Sequence, residues 1–189
     1  MKKNIQQINL IKHIPVDIRL WSGCFELYTH PELSVKVDAG AISNMDMVPE
    51  LMCTGDHLTI SNQLFSAILT RSDAIKIKIY VPDESVVHLR QLAGDLFVSG
   101  SYKSLKTKNW LGNVHSHLDE LFVREEATLE VISGDVYIDS EDQSVIQSRS
   151  GYENYQVFKF YNGSSVKAHT HLGEVKWKFY PQKEKHYFA

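Results

Sequence analysis

Two His-x-His pairs are the residues whose type and spacing could do chemistry in this chain. His115 and His117 form the first pair, and His169 and His171 form the second. Residues two apart in a strand point the same way, so each pair could offer two imidazoles to a zinc-like ion. One ion cannot bridge both pairs if they lie on separate sheet segments, because each intervening strand adds about 4.8 Å. Since the simplest interpretation is exposed polar residues on strands, we predict no metal site and no cofactor.

The first pair also resembles the metal motif of the cupins, which are closed β-barrels. In that motif a later Glu completes the site, and a Pro-x-Gly segment followed by His supplies the remainder. Here Glu120 follows His117 too closely, and the Pro-x-Gly segment is missing. A cupin-like metal-binding barrel, or a metal-dependent enzyme using His115 and His117, is therefore the alternative to the interpretation developed below.

Other catalytic arrangements are missing from the sequence. Carboxylates that could serve glycoside cleavage, such as Asp95, Asp135 and Glu174, each follow a glycine, where acidic side chains commonly satisfy backbone groups of turns. Cys24 and Cys53 lack accompanying His and Asp residues, and two cysteines are too few for a disulfide framework. Phosphate-binding loops and Ser-His-Asp signatures are absent as well. We predict that the chain is not an enzyme.

A recurring glycine-centred sequence motif predicts the strands and turns that position these side chains. Each copy is a glycine, usually a small polar or acidic residue, and then apolar residues at alternating positions. The clear copies are centred on Gly23, Gly94, Gly112, Gly134 and Gly173, and the closest neighbours are 18 and 22 residues apart. Repeats near 20 residues are typical of solenoids, in which one strand-turn-strand unit stacks on itself. Weaker copies occur at Gly40, Gly55 and Gly151.

Alternation of apolar and polar residues, with almost no helical periodicity, predicts an all-β protein. No linker rich in Pro, Gly and Ser divides the chain, so we predict one domain over residues 1–189. The predicted fold is a single-stranded β-helix, or β-solenoid, of short strands. Its corners are glycines, because a positive φ costs glycine nothing.

Counting outward from the five clear glycines assigns the faces of the strands. Side chains two residues after each glycine are predicted to be buried, namely Phe25, Leu96, Val114, Val136 and Val175. Side chains five residues before it are also predicted to be buried, namely Ile18, Leu89, Thr107, Leu129 and Ala168. The residues four before each glycine are all charged or ionisable and must face water. We call these the charged column: Arg19, Arg90, Lys108, Glu130 and His169.

The residues two before each glycine are predominantly apolar, and we call them the apolar stripe: Trp21, Leu92, Trp110, Ile132 and His171. Strict alternation places the stripe on the outer face, beside the charged column. Contiguous exposed apolar surface often marks a contact with another protein. The alternative is that a bulge at each corner turns these side chains inward. The stripe is our candidate interaction surface, either for a protein partner or for a second copy of the chain.

The segment from Ile75 to Ile138 resembles the bacterial putative-adhesin domain, a domain of unknown function related to the auto-transporter adhesin head. The matching features are a strand ending in Val81-Pro82 and three corners: Ala93-Gly94-Asp95-Leu96, Leu111-Gly112-Asn113-Val114 and Ser133-Gly134-Asp135-Val136. The resemblance implies a single-chain β-helix that serves as a non-enzymatic scaffold or protein-interaction module. It supplies no catalytic residues.

Composition and charge argue against several other classes of protein. With 20 basic and 23 acidic residues, the formal net charge of −3 argues against a nucleic-acid binder. No apolar run approaches the roughly 20 residues of a membrane span. The basic start at Met1-Lys2-Lys3 lacks the apolar run of about 7–15 residues that a signal peptide needs. We therefore expect a cytoplasmic chain with no membrane insertion; only the resemblance implies an association with a surface.

Overall fold

The computed structural model describes residues 5–40, 48–62, 76–141 and 146–179, which form sixteen strands and no helix. The prediction of an all-β protein is confirmed. All sixteen strands belong to one sheet that wraps around the core and nearly closes, as in a barrel. The strands are β1 (Ile5–Asn9), β2 (Val16–Ser22), β3 (Cys24–His30), β4 (Ser34–Asp38), β5 (Glu50–Thr54), β6 (His57–Ser61), β7 (Lys76–Pro82), β8 (Ser85–Ala93), β9 (Leu96–Leu111), β10 (Val114–Val123), β11 (Glu126–Ser133), β12 (Val136–Ser140), β13 (Ile146–Tyr152), β14 (Tyr155–Phe160), β15 (Ser165–Leu172) and β16 (Val175–Phe179).

Two runs of parallel strands meet at the clear glycines. The strands before the glycines form the first ladder, with β6 added at one edge, in the order β6, β2, β8, the second half of β9, β11 and β15. The strands after the glycines form the second ladder, with β7 added at one edge, in the order β7, β3, the start of β9, β10, β12 and β16. Parallel neighbours cannot be joined by a tight hairpin. After Gly94 and Gly112 the chain enters the second ladder and returns directly to the first, one strand further along; after Gly23 and Gly134 antiparallel strands intervene before it returns.

Antiparallel strands flank both ladders. β5 pairs with β6, and β14 and β13 continue the sheet beyond β15. β4 and β1 continue it beyond β7. Gly55 lies in the turn between β5 and β6, and Gly151 lies in β13, so neither glycine joins the two ladders. The interpretation of these two glycines as weaker copies of the corner is therefore wrong, because they belong to antiparallel hairpins.

The five corner glycines are stacked with their backbones in close contact. Their φ angles range from +101° at Gly94 to +156° at Gly173, a backbone conformation that residues other than glycine rarely adopt. A Cβ atom at Gly94 would lie 2.1 Å from the carbonyl oxygen of Gly23. Both the backbone conformation and the space between corners therefore require glycine.

The predicted strand faces are confirmed. The residues two after and five before each corner glycine are all buried, with exposures of 0 to 5%. The charged column lies on the outer face, where its members are half-buried or exposed. Its residues pair with one another from strand to strand, as in Lys108 opposite Glu130 and Glu130 opposite His169. The buried apolar side chains form one hydrophobic cluster that extends through both ladders.

Buried polar side chains three residues before the glycines satisfy the corner carbonyls. Gln91 Nε2 donates to the carbonyl of Gly23 at 2.9 Å, and Asn109 Nδ2 donates to that of Gly94 at 2.7 Å. Thr170 Oγ1 donates to the carbonyl of Gly134 at 2.8 Å. Because a buried carbonyl without a partner is costly, these polar residues hold the corners in place from inside the core.

Acidic and amide side chains directly after the glycines link each corner to the next. Asp95 Oδ1 accepts a hydrogen bond from the backbone N–H of Asn113 at 3.0 Å. Asn113 Oδ1 accepts one from the N–H of Asp135 at 3.0 Å, and Asp135 Oδ1 accepts one from the N–H of Glu174 at 2.9 Å. The prediction that Asp95 and Asp135 satisfy backbone groups of turns is confirmed, and those groups belong to the neighbouring corner.

Candidate interaction surface

The apolar stripe follows one line across the outer face of the first ladder. Leu92 is 36% exposed and His171 is also exposed, whereas Trp21, Trp110 and Ile132 are half-buried. The residues on either side of the stripe pair in unbroken register from β2 to β8, and likewise across β9, β11 and β15. Each of the five side chains remains at least partly accessible.

A groove of about 460 Å³ lies at the β2 end of the stripe. Trp21, Leu92 and Trp110 supply its apolar wall, and Arg19 and Arg90 line it on the side of the charged column. The backbone N–H of Trp21 donates to Asn62 Oδ1 at 2.9 Å, which holds the strand at this point. The groove therefore combines large apolar side chains with two permanent positive charges.

The far end of the stripe carries a compact group of imidazoles and a carboxylate. The ligand atoms of Glu130, His169 and His171 all lie within 4.8 Å of one another, and this is the one such group of three among the residues that the structure describes. His171 Nε2 lies 3.1 Å from Glu130 Oε1, and Lys108 Nζ donates to the same oxygen at 3.0 Å. Burial raises the pKa of Glu130, but the hydrogen bonds from Lys108 and His171 outweigh it, so that the net shift is downward.

The other His-x-His pair lies on the second ladder, in a different environment. The His115 ring stacks between Phe97 and Tyr137, with ring centroids 4.5 and 4.7 Å away. Lys176 Nζ lies 5.3 Å from the centre of the Tyr137 ring and extends the stack. Burial lowers the pKa of His115, although the carboxylates of Asp95 and Asp139 act in the opposite direction. This histidine thus fills a place in an aromatic column.

The two cysteines are both free thiols, with Cys24 half-buried and Cys53 exposed. Burial raises the pKa of Cys24, and Asp95 and Glu26 add to that effect against the opposing charge of Lys76. A raised pKa favours the thiol over the nucleophilic thiolate.

Sequence analysis placed Glu130, Arg19 and Arg90 in the charged column but assigned none of them to a site. Glu130 lies beside His169 because β11 and β15 are neighbouring strands, which the structure shows. Arg19 and Arg90 belong to that column and lie two residues before Trp21 and Leu92, which puts them on the same face of the strand. Their position beside the stripe follows from that spacing.

Comparison with solved structures shows what this fold is similar to. A crystal structure described as a putative cell adhesion protein from Clostridium sporogenes ATCC 15579 aligns over 95% of this chain and 100% of its own, with a TM-score of 0.67 and 12% identity. A structure described as a putative adhesin from Bacteroides fragilis NCTC 9343 aligns over 95% of this chain and 97% of its own, with 11% identity and a TM-score of only 0.34. The expected resemblance to putative adhesins is confirmed as a similarity of fold.

No protein-family model and no curated protein matches this sequence. The described residues also contain no helix of the length and hydropathy needed to cross a membrane.

Proposed function

We propose that this chain is a non-enzymatic protein-interaction module built as a β-helix, and that it binds its partner through the groove beside the apolar stripe. The parallel register of both ladders supports the β-helix, because each corner glycine passes the chain from one ladder to the other. The continuous stacking of those glycines supports it as well. In such a fold every strand presents an outer face, and the first ladder presents the stripe.

The observation that carries the proposed function is the composition of the groove. Trp21, Trp110 and Leu92 remain accessible beside Arg19 and Arg90. Tryptophan and arginine are the residues most enriched among those that dominate binding energy at protein interfaces. The core of such an interface is typically apolar and its rim polar, which is the arrangement of these five side chains.

The charges define the chemistry of the partner. Two arginines beside an apolar wall favour a segment with an apolar or aromatic anchor and a neighbouring carboxylate, because arginine binds carboxylates through paired hydrogen bonds. A second copy of the chain would bring the same arginines to an isologous interface, where like charges oppose each other. We therefore expect a different protein with an acidic, apolar segment. The description of the Clostridium neighbour as a cell adhesion protein is consistent with a protein partner.

A peptide-display selection tests this function. A random-peptide library is selected on the wild-type protein and counter-selected on the double variant Leu92→Asp/Trp110→Asp. Phe122→Asp is the matched control, because Phe122 is 63% exposed on β10, outside the groove. Circular dichroism and thermal melting verify that both variants fold.

The proposal predicts acidic, apolar peptides that bind the wild type and Phe122→Asp at least about tenfold more tightly than the double variant, which corresponds to about 1.4 kcal/mol. Peptides that bind all three proteins equally, or a selection without enrichment, would contradict it. Concentration-dependent self-association that the double variant abolishes would favour the second copy as the occupant instead.

The alternative function at His115 and His117 has weaker support. The faces of the His115 ring are covered by two aromatic rings. Within the described part of the chain, the group of three metal-ligating side chains lies elsewhere, at Glu130, His169 and His171. We therefore do not assign a cupin-type centre to the first pair.

A further inference from the structure

We propose that Glu130, His169 and His171 form a binding site for a zinc-class divalent cation on the outer face of the first ladder. The site goes beyond the proposed protein-interaction function and does not depend on it. Two imidazoles and one carboxylate are a donor set that suits zinc and neighbouring transition metals.

The backbone places the three ligands before any metal binds. Glu130 and His169 are direct partners on the parallel strands β11 and β15, so their side chains leave the sheet side by side. His171 lies two residues after His169 and therefore points to the same face. The centroids of the two imidazole rings are 4.5 Å apart.

The distances require only small side-chain movements to bind an ion. The candidate ligand atoms are within 4.8 Å of one another, and His171 Nε2 is already 3.1 Å from Glu130 Oε1. Ligands at about 2.0–2.2 Å from a tetrahedral zinc are about 3.3–3.6 Å apart. The proposal therefore requires the histidine side chains to rotate until their ligand atoms reach these distances.

Neighbouring residues both support and limit the site. The ring of Tyr155 contacts His169 edge to face, with centroids 5.7 Å apart, and helps to fix that imidazole. Lys108 Nζ donates to Glu130 at 3.0 Å, so its positive charge competes with a bound cation. The same ammonium lies 5.4 Å from the centre of the Trp110 ring, where it has an alternative contact. Since three protein ligands leave a fourth zinc position open and His171 is exposed, that position faces solvent.

Calorimetric titration with Zn²⁺, after removal of metals by chelation, tests the site. We expect one Zn²⁺ to bind per chain at micromolar concentration, and His169→Ala and His171→Ala each to weaken binding at least about tenfold. His13→Ala is the matched control, because His13 is an exposed histidine between β1 and β2, outside every strand, and it should leave binding unchanged. Lys108→Met should tighten binding, since it removes the competing charge without removing a ligand.

A second readout separates metal binding from a purely structural role of the histidines. Zn²⁺ should raise the melting temperature of the wild type and of His13→Ala, because a ligand that binds only the folded state stabilises it. The melting temperature of the double variant His169→Ala/His171→Ala should be the same with and without Zn²⁺. Equal Zn²⁺ binding by wild type and double variant, or no binding by the wild type at millimolar Zn²⁺, would overturn the proposal.

Discussion

Gly134 packs directly against Gly112, the glycine at the preceding corner. A Cβ atom at Gly134 would lie 2.0 Å from the carbonyl oxygen of Gly112, and the φ angle of Gly134 is +136°. The same close approach recurs between Gly173 and Gly134 and between Gly112 and Gly94. Backbone contact between the glycines thus sets the spacing between successive corners. The corners could not stack this closely if another residue replaced the glycine.

Gly134→Ala is expected to destabilise the protein by more than about 3 kcal/mol, because an unfavourable φ and a clash with backbone add together. Gly55→Ala is the control, since Gly55 has a φ of +60° but nothing within 4 Å of the added carbon. Its cost should be about 1–2 kcal/mol, from conformation alone. Urea unfolding measures both, and equal losses would show that the corners do not touch.

Asn109→Leu tests the buried polar residues that satisfy the corner carbonyls. The substitution keeps the side-chain volume similar but leaves the carbonyl of Gly94 without its donor at 2.7 Å. We expect a loss of about 1–3 kcal/mol in the free energy of unfolding. Lys106→Leu, at an exposed position of the same strand, should cost far less in the same urea titration. A neutral Asn109→Leu would mean that the carbonyl finds another partner.

His115 should make stability depend on pH. Burial lowers its pKa in the folded state, so between that value and the unfolded value of about 6.5 the unfolded chain binds more protons. The contribution of neutral His115 is therefore complete above about pH 6.5 and is lost as the pH falls. The variant His115→Phe keeps the stack without a titrating group.

Urea unfolding of the wild type and His115→Phe at about pH 7.5 and pH 5.5 checks this pH dependence. The wild type should lose stability relative to His115→Phe at the lower pH. A difference that is constant, or that changes in favour of the wild type, would show that the ring is not held in its neutral form.

Arg90→Glu should weaken binding of the acidic peptides selected on the wild-type groove, because it replaces attraction by repulsion. Lys103→Glu carries the same charge change on the exposed surface of β9, where the lysine faces Glu125 at 3.7 Å, and should leave binding almost unchanged. The effect of Arg90→Glu should shrink at high salt, since exposed charges are screened. Equal effects of both variants would indicate attraction by net charge alone.

The spacing around the glycines was enough to predict which strand residues face the core and which face solvent. The count that placed Phe25 and Leu96 inside and Arg19 outside holds at every clear corner, because strand periodicity is fixed at two and parallel register keeps the copies aligned. The hairpin β13–β14 could not be recognised from Gly151, since a glycine alone does not distinguish an antiparallel strand from a corner. The grouping of Glu130 with two histidines required knowledge of which strands are neighbours.

The β-helix proposed above implies that the strands of the first ladder form an open stack of coils. Five steps between neighbouring strands separate Thr59 on β6 from Lys167 on β15. Electron-spin distance measurement between nitroxide labels at these two positions, with Cys24 and Cys53 replaced by serine, tests the claim directly. At about 4.8 Å per step, we predict a separation of about 24 Å between the labelled backbone positions. A separation below about 10 Å, as neighbouring strands of a fully closed barrel would give, would contradict the account.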